Sequence, residues 1–221
     1  MEWKRQKLVE LLELEGIVKT PQVKRALLSV PREEFVPVEY RDEAYEDHPL
    51  PIPEGQTISA PHMCAIMCEA AAIEKGDSVL EVGTGSGYHA ALCAEIVSPT
   101  GEKIEGIVLT LEIIKCLASF ALENLRRSGY YDRVNIVVAD GSAGAPIRQG
   151  FRFKKIIVTA AAPATPSPLI EQLDEEGVMV IPVGSRWHQL LLSIKKKGGE
   201  VRTKPVTYCV FVALRGRYGY E

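Results

Sequence analysis

The stretch that most limits what this chain can fold into is Val79-Leu80-Glu81-Val82-Gly83-Thr84-Gly85-Ser86-Gly87-Tyr88, followed by Ala90-Ala91-Leu92-Cys93-Ala94. An apolar strand runs into a glycine-rich turn and then into a helix. The spacing G-x-G-x-G lets the backbone take positive φ and come close to a ligand that side chains would exclude. The unpaired N–H groups of the helix start face whatever sits above the strand tip. No Gly-Lys-Ser/Thr closes the turn, so it is not a Walker phosphate loop, and it lacks the G-x-x-G ending expected for dinucleotides. By itself such a turn is equally compatible with a plain tight connection in an α/β sheet.

Downstream, strand and helix patterns alternate. Strands are expected at 78–82, 103–108, 134–139, 155–159 and 178–183, with helices at 88–97, 111–127 and 167–173. Near-continuous apolar strands between helices imply a parallel sheet covered on both faces, with ligands at the carboxyl ends of the strands where strand order reverses. The tail changes character: residues 189–194 and 208–214 flank Lys195-Lys196-Lys197-Gly198-Gly199-Glu200, which reads as an antiparallel pair around a solvated turn.

Upstream, residues 3–15 place Leu8, Leu11 and Leu12 at helical spacing before Gly16, and Thr20-Pro21 opens a second helix with Thr20 as N-cap. The prolines of Pro31 to Pro37 and of Pro49-Leu50-Pro51-Ile52-Pro53 argue against regular structure, so 31–60 is expected to be an irregular cover over the domain. A further helix is expected from Pro61 to about Ile73, capped by Ser59 or a neighbour.

At 221 residues the chain is expected to be one domain, with 1–60 as its helices and cover. Its net charge of −3 offers no general attraction to nucleic acid or anionic membrane, and no apolar run approaches the ~20 residues of a membrane span. The five cysteines are an odd, scattered set without C-x-x-C, as in a reducing compartment, and a cytoplasmic monomer is expected. Cys64 and Cys68 lie four apart near His62, but no second cluster in the sequence completes a metal site, and no metal is expected.

Several segments together resemble the protein-L-isoaspartate (D-aspartate) O-methyltransferases. Val30-Pro31-Arg32-Glu33-Glu34-Phe35-Val36-Pro37, Ala44-Tyr45-Glu46-Asp47 and Gly55-Gln56-Thr57-Ile58-Ser59-Ala60-Pro61-His62-Met63 are similar to that family's amino-terminal segments in order. Leu80 to Tyr88 resembles its cofactor loop, and Thr159-Ala160-Ala161-Ala162-Pro163 and Ile181-Pro182-Val183-Gly184 resemble its later half. The resemblance covers about residues 20–216 and implies a Rossmann-like S-adenosylmethionine-dependent methyltransferase fold, a mostly parallel seven-stranded sheet with an antiparallel C-terminal hairpin. It also implies methyl transfer from S-adenosylmethionine to the free carboxylate of L-isoaspartyl or D-aspartyl residues in damaged proteins, which initiates repair. A carboxylate is ionised at neutral pH, so no catalytic base should stand out, and none does.

By the same resemblance the cofactor contacts are Gln56, Thr57, Ile58, Ser59 and His62 in the cover, Glu81, Gly83, Thr84, Gly85, Ser86 and Gly87 in the loop, and Asp140 and Gly141 at a later strand tip. Ser59 falls where the family's active-site serine lies, with a hydroxyl able to orient the incoming carboxylate. Asp140 falls where an acid accepts from the adenine amino group. The strand after the glycine loop should end in an acid that takes the ribose hydroxyls, and Val108 occupies that position on the expected boundaries. Glu105 points to the opposite face, and Glu112 stands on the following helix. Ala139 and Ala213 also depart from the family pattern. Two readings follow: an active repair methyltransferase, or a divergent paralogue with weakened cofactor binding. A methyltransferase of nucleic-acid bases is disfavoured, because Asn/Asp-Pro-Pro-Tyr/Phe is missing and the charge is mildly negative.

Overall fold

A computed structural model describes residues 1–220. In chain order the elements are α1 (Glu2–Leu14), α2 (Pro21–Ser29), β1 (Leu50–Ile52), β2 (Gln56–Ile58), α3 (Pro61–Ala71), β3 (Ser78–Val82), α4 (Tyr88–Val97), β4 (Ile107–Glu112), α5 (Lys115–Ser128), β5 (Val134–Val138), β6 (Phe153–Val158), α6 (Ser167–Gln172), β7 (Leu173–Gly184), β8 (Gln189–Lys197) and β9 (Glu200–Cys209). The main sheet has seven strands in the order β5-β4-β3-β6-β7-β8-β9. β3 to β7 are parallel, and β8 runs antiparallel to both its neighbours.

Period-two alternation sorts the strand residues between two apolar layers. Val79, Val108, Ile157 and Val180 face the layer built by α1 to α5, whereas Leu80, Val82, Leu111, Ile156, Val158, Met179 and Ile181 face the layer that includes Leu169 of α6. Every residue of α4 is buried, because α2 packs over the face that the sheet does not cover. Strand order reverses at β3, between β4 and β6, which opens a crevice above its carboxyl end.

Several expected boundaries move. The strand after the glycine turn is Ile107–Glu112 rather than 103–108, and the next helix starts at Lys115 rather than 111. The cause lies at Gly106, where a Cβ would overlap Val97 and stand 2.9 Å from the Asp77 carbonyl, so pairing begins only after this close pass. Val108 therefore sits beside Val79, well inside the sheet, and the strand tip is Glu112.

The cover is not wholly irregular: β1 and β2 pair antiparallel, with Pro51 opposite Thr57. A two-stranded ribbon has only edges, where proline's missing N–H costs no ladder bond. The last strand begins at Glu200, directly after Gly198-Gly199, rather than at Tyr208. A two-residue glycine turn starts pairing at once, and β9, exposed over most of its length, has little apolar patterning to show it. Finally, Ala60 rather than Ser59 precedes the first turn of α3, with no side-chain cap bond, and the Thr20 hydroxyl donates to Glu69 (3.1 Å) instead of capping α2.

Candidate active site

The crevice at the tips of β3, β4 and β6 is a cavity open on one side. Its floor is the glycine turn. Gly83 holds φ +99°, and a Cβ there would overlap the Thr159 hydroxyl, which is shared between the carbonyls of Val82 (3.1 Å) and Gly83 (2.5 Å). The Gly83 N–H donates to the Leu111 carbonyl (2.9 Å), so the turn is tied to both neighbouring strands. Gly85 and Gly87 also hold positive φ, as the sequence implied for a backbone that must approach a ligand.

Glu112 closes one side. Its Oε2 accepts from the Gly85 N–H (2.9 Å) and its Oε1 from the Ile114 N–H (3.0 Å), so a carboxylate only 5% exposed is held in one orientation at the cavity wall. Each oxygen keeps a free lone pair for a further donor. Gly141 lies opposite, where a Cβ would stand 2.6 Å from Val82 Cγ1 and 3.3 Å from Leu111 Cβ. Only glycine fits at 141 without displacing Val82 or Leu111, and Gly141, Leu111 and Ile113 together give the cavity lining an apolar slot.

The opposite rim comes from β2 and the residue after it. Gln56, Thr57, Ile58 and Ser59 all line the cavity, with Ile58 buried and Ser59 half-buried. The Gln56 amide donates back to the Glu54 carbonyl (3.0 Å). The Ser59 hydroxyl has no hydrogen-bond partner among the described residues, so it is available to a ligand. The last wall is the tail: the Ala161 N–H donates to the Val212 carbonyl (2.8 Å) and the Leu214 N–H to the Ala161 carbonyl (2.7 Å), which lays Val212 to Arg215 against the cavity.

Gly83, Thr84, Gly85, Ser86 and Gly141 thus line the cavity together with the four rim residues; Gly87 stands just behind as the N-cap of α4. Four other expected contacts do not line the cavity, although one of them, Asp140, adjoins Gly141, which does. Val108 is 0% exposed and packs in the apolar layer four residues short of the β4 tip. His62 turns away from the cavity, its ring Nδ1 and backbone N–H both on Asp47 Oδ1 at 2.9 Å.

Glu81 points beneath α4, where it accepts from the Thr110 hydroxyl (2.5 Å) and pairs with His89 Nδ1 (3.1 Å). Thr110 in turn accepts from Thr84 (2.8 Å), so Glu81 braces the glycine turn from below. Asp140 Oδ1 accepts from the Ser142 N–H (2.9 Å) and hydroxyl (2.6 Å), and Oδ2 from the Arg217 N–H (2.8 Å). Burial works against its charge, but these bonds outweigh it and hold the carboxyl below the ordinary aspartate value.

Thr110 is a residue the sequence did not single out, and Glu112, Thr159 and the tail were named there without the places they take in the site. Glu112 was legible by parity: Val108, Thr110 and Glu112 share one strand face, so a strand running four residues further puts an acid where valine was read.

The model of the protein-L-isoaspartate(D-aspartate) O-methyltransferase family matches residues 3–219. A protein-L-isoaspartate O-methyltransferase of Hyperthermus butylicus is 54% identical over 98% of this chain and 90% of its own length. One from Korarchaeum cryptofilum is 53% identical over 97% of this chain and 98% of its own. Among solved structures, a Plasmodium falciparum protein described as a putative protein-L-isoaspartate O-methyltransferase, in complex with S-adenosyl-L-homocysteine, superposes with a TM-score of 0.83 at 29% identity, over 96% of this chain and 98% of that one.

Proposed function

The chain belongs to the protein-L-isoaspartate(D-aspartate) O-methyltransferase family, and on that premise we propose how its cavity carries out the transfer. The protein is an S-adenosylmethionine-dependent enzyme with the mostly parallel sheet and antiparallel C-terminal hairpin of that fold. It transfers methyl to the free carboxylate of isoaspartyl residues. The divergent-paralogue reading loses its motive, because the β4 tip carries Glu112 and not Val108.

The donor set fits the cofactor. Glu112 would take both ribose hydroxyls, Gly141 and the apolar slot the adenine, and the glycine turn the amino-acid end. Asp140 keeps one lone pair on Oδ2 for an adenine amino group. Bound there, S-adenosylmethionine supplies a methyl group already activated by its positively charged sulfur.

The chain's own residues do the rest. An isoaspartyl carboxylate has an ordinary pKa near ~4 and needs no base, and the half-buried Ser59 hydroxyl donates to one of its oxygens and aims the other at the methyl carbon. An oxygen lone pair forms the new O–C bond as the C–S bond breaks, so anion and cation neutralise one another. Ile58, Val212 and Leu214 exclude water from the carboxylate, which favours a step that removes charge. The observation that carries the reading is one cavity with a fixed carboxylate at its wall and an unpartnered serine hydroxyl at its rim.

Residues 56–59 of the cover and the tips of the main sheet wall the same cavity, which supports a single domain with 1–60 as its cover. The free thiols Cys64, Cys68, Cys93, Cys116 and Cys209 support a cytoplasmic setting, and the −3 charge supports protein substrates rather than nucleic acid or membrane. No helix among the described residues is long and apolar enough to cross a membrane.

The test is labelled methyl transfer to paired peptides that differ only in an isoaspartyl or aspartyl linkage. Base-labile label should appear on the isoaspartyl member alone. Ser59→Ala should lower kcat/KM by about 10- to 150-fold, the worth of one hydrogen bond to a charged group, with cofactor affinity unchanged. Equal labelling of both peptides, or an unimpaired Ser59→Ala enzyme, would refute the proposal.

A further inference from the structure

We propose that Cys68, His89 and Cys93 form a binding site for a thiophilic cation with a filled d shell, zinc(II) or copper(I), that ties α3 to α4 beneath the cofactor cavity. None of the three is used in the transfer chemistry, and all are buried, at 1%, 8% and 0% exposure. Each helix presents a pair one turn apart: Cys64 and Cys68 on α3, His89 and Cys93 on α4. That spacing aligns the members of each pair on one helix face, and the two faces meet. The sequence supplied the α3 half beside His62; the second half comes from α4, which folding brings across.

The separations suit coordination. Bond lengths of about 2.3 Å to sulfur and 2.0–2.1 Å to nitrogen, at a tetrahedral angle, put the sulfur and nitrogen roughly 3.6 Å apart. Cys68 Sγ stands at that distance from His89 Nε2, 3.6 Å, whereas Cys93 Sγ, 3.7 Å from Nδ1 of the same ring, must swing towards Nε2 to join the shell. One ligand atom from each of the three residues lies within 4.8 Å of the other two, so closing the set takes shifts of about an ångström.

Glu81 Oε1, 3.1 Å from Nδ1, accepts that nitrogen's proton and leaves the Nε2 lone pair for the metal. A carboxylate behind the imidazole is the usual support for a metal-binding histidine. Two thiolate sulfurs and one imidazole nitrogen suit copper(I) in a trigonal shell; zinc(II) takes a fourth ligand, for which a water serves, since Cys64 Sγ lies outside the set. Binding converts two buried thiols to thiolates and releases their protons to solvent. Since Glu81 also holds Thr110, and Thr110 holds Thr84, the metal would stiffen the brace under the glycine turn.

The experiment uses the full-length protein, reduced and freed of metal by chelator, and titrated anaerobically with zinc(II), with copper(I) and with cobalt(II) as a spectroscopic probe. We expect one equivalent retained through gel filtration, about two protons released per metal, and a thiolate-to-cobalt charge-transfer band. Which of zinc(II) and copper(I) is retained against a competing chelator identifies the cation. Cys93→Ser should abolish the band, and Cys116→Ser, at an exposed thiol on α5, should leave it intact. Glu81→Gln should weaken affinity by about 10- to 100-fold. Should Cys93→Ser not fold, the stoichiometry and proton count on the unsubstituted protein still decide. No retained equivalent, retention without proton release, or a band that survives Cys93→Ser or disappears with Cys116→Ser would overturn the site.

Discussion

Replacement of Glu112 by glutamine should weaken S-adenosyl-L-homocysteine binding by about 10- to 150-fold. The carboxylate is held by the Gly85 and Ile114 N–H groups at 2.9 and 3.0 Å, which leaves one lone pair on each oxygen for the two ribose hydroxyls. Glutamine turns one oxygen into a donor. It must then face either a backbone N–H or a ribose hydroxyl that has lost its acceptor. Hydrogen bonds to a charged group are worth about 1.5–3 kcal/mol, and that range sets the factor.

Isothermal titration calorimetry at neutral pH reads it, with thermal unfolding to establish that the fold is kept. A weaker complex could also reflect a loosened glycine turn, and a second ligand separates the two. The 2′-deoxy analogue should bind the native protein about tenfold or more worse, yet bind Glu112→Gln little worse than the parent ligand does, because the shared interaction is already lost. An unchanged dissociation constant in the variant, or full additivity with the deoxy analogue, would refute the assignment of Glu112 to the ribose.

Three further outcomes follow from the same geometry. Val108→Glu, which would restore an acid if Val108 were the strand tip, should instead unfold the protein or lower its melting temperature sharply, since it buries a charge at a 0% exposed site; a stable variant with tighter cofactor binding would overturn the β4 register. Gly83→Ala should cost about 1–3 kcal/mol of stability from φ +99° alone, and should also displace Thr159, so a variant with native melting and native affinity would contradict the loop account. Because the folded pKa of Asp140 lies below its ordinary 3.8, its stabilisation is present above that value and is lost as pH falls through the folded pKa. The gap in melting temperature between the native protein and Asp140→Asn should therefore close on acidification below that value, and a gap constant from neutrality to strongly acid pH would count against the tail's hold on Asp140.

The parallel core was legible because apolar strands and glycine punctuation are local signals, and β3, α4 and β6 fall close to where they were read. The Gln56 to Ser59 rim was legible only through resemblance, since no periodicity marks a three-residue strand. Three features hidden from the sequence share one cause, contacts made at long range. Gly106 delays β4 because Val97, on α4, occupies the space beside it. His62 is drawn off the cavity by Asp47, fifteen residues earlier. Asp140 is held by Arg217, seventy-seven residues later. The pairing of Cys68 with His89 and Cys93 is of the same kind, visible only once α3 and α4 are packed side by side.

The most direct test is a crystal structure of the protein with S-adenosyl-L-homocysteine. The ligand should lie over the tips of β3 and β4, with both ribose hydroxyls on the Glu112 oxygens, adenine beside Gly141, and sulfur facing the Ser59 hydroxyl across open space. A ribose turned away from Glu112, or a sulfur walled off from Ser59 by protein atoms, would contradict it.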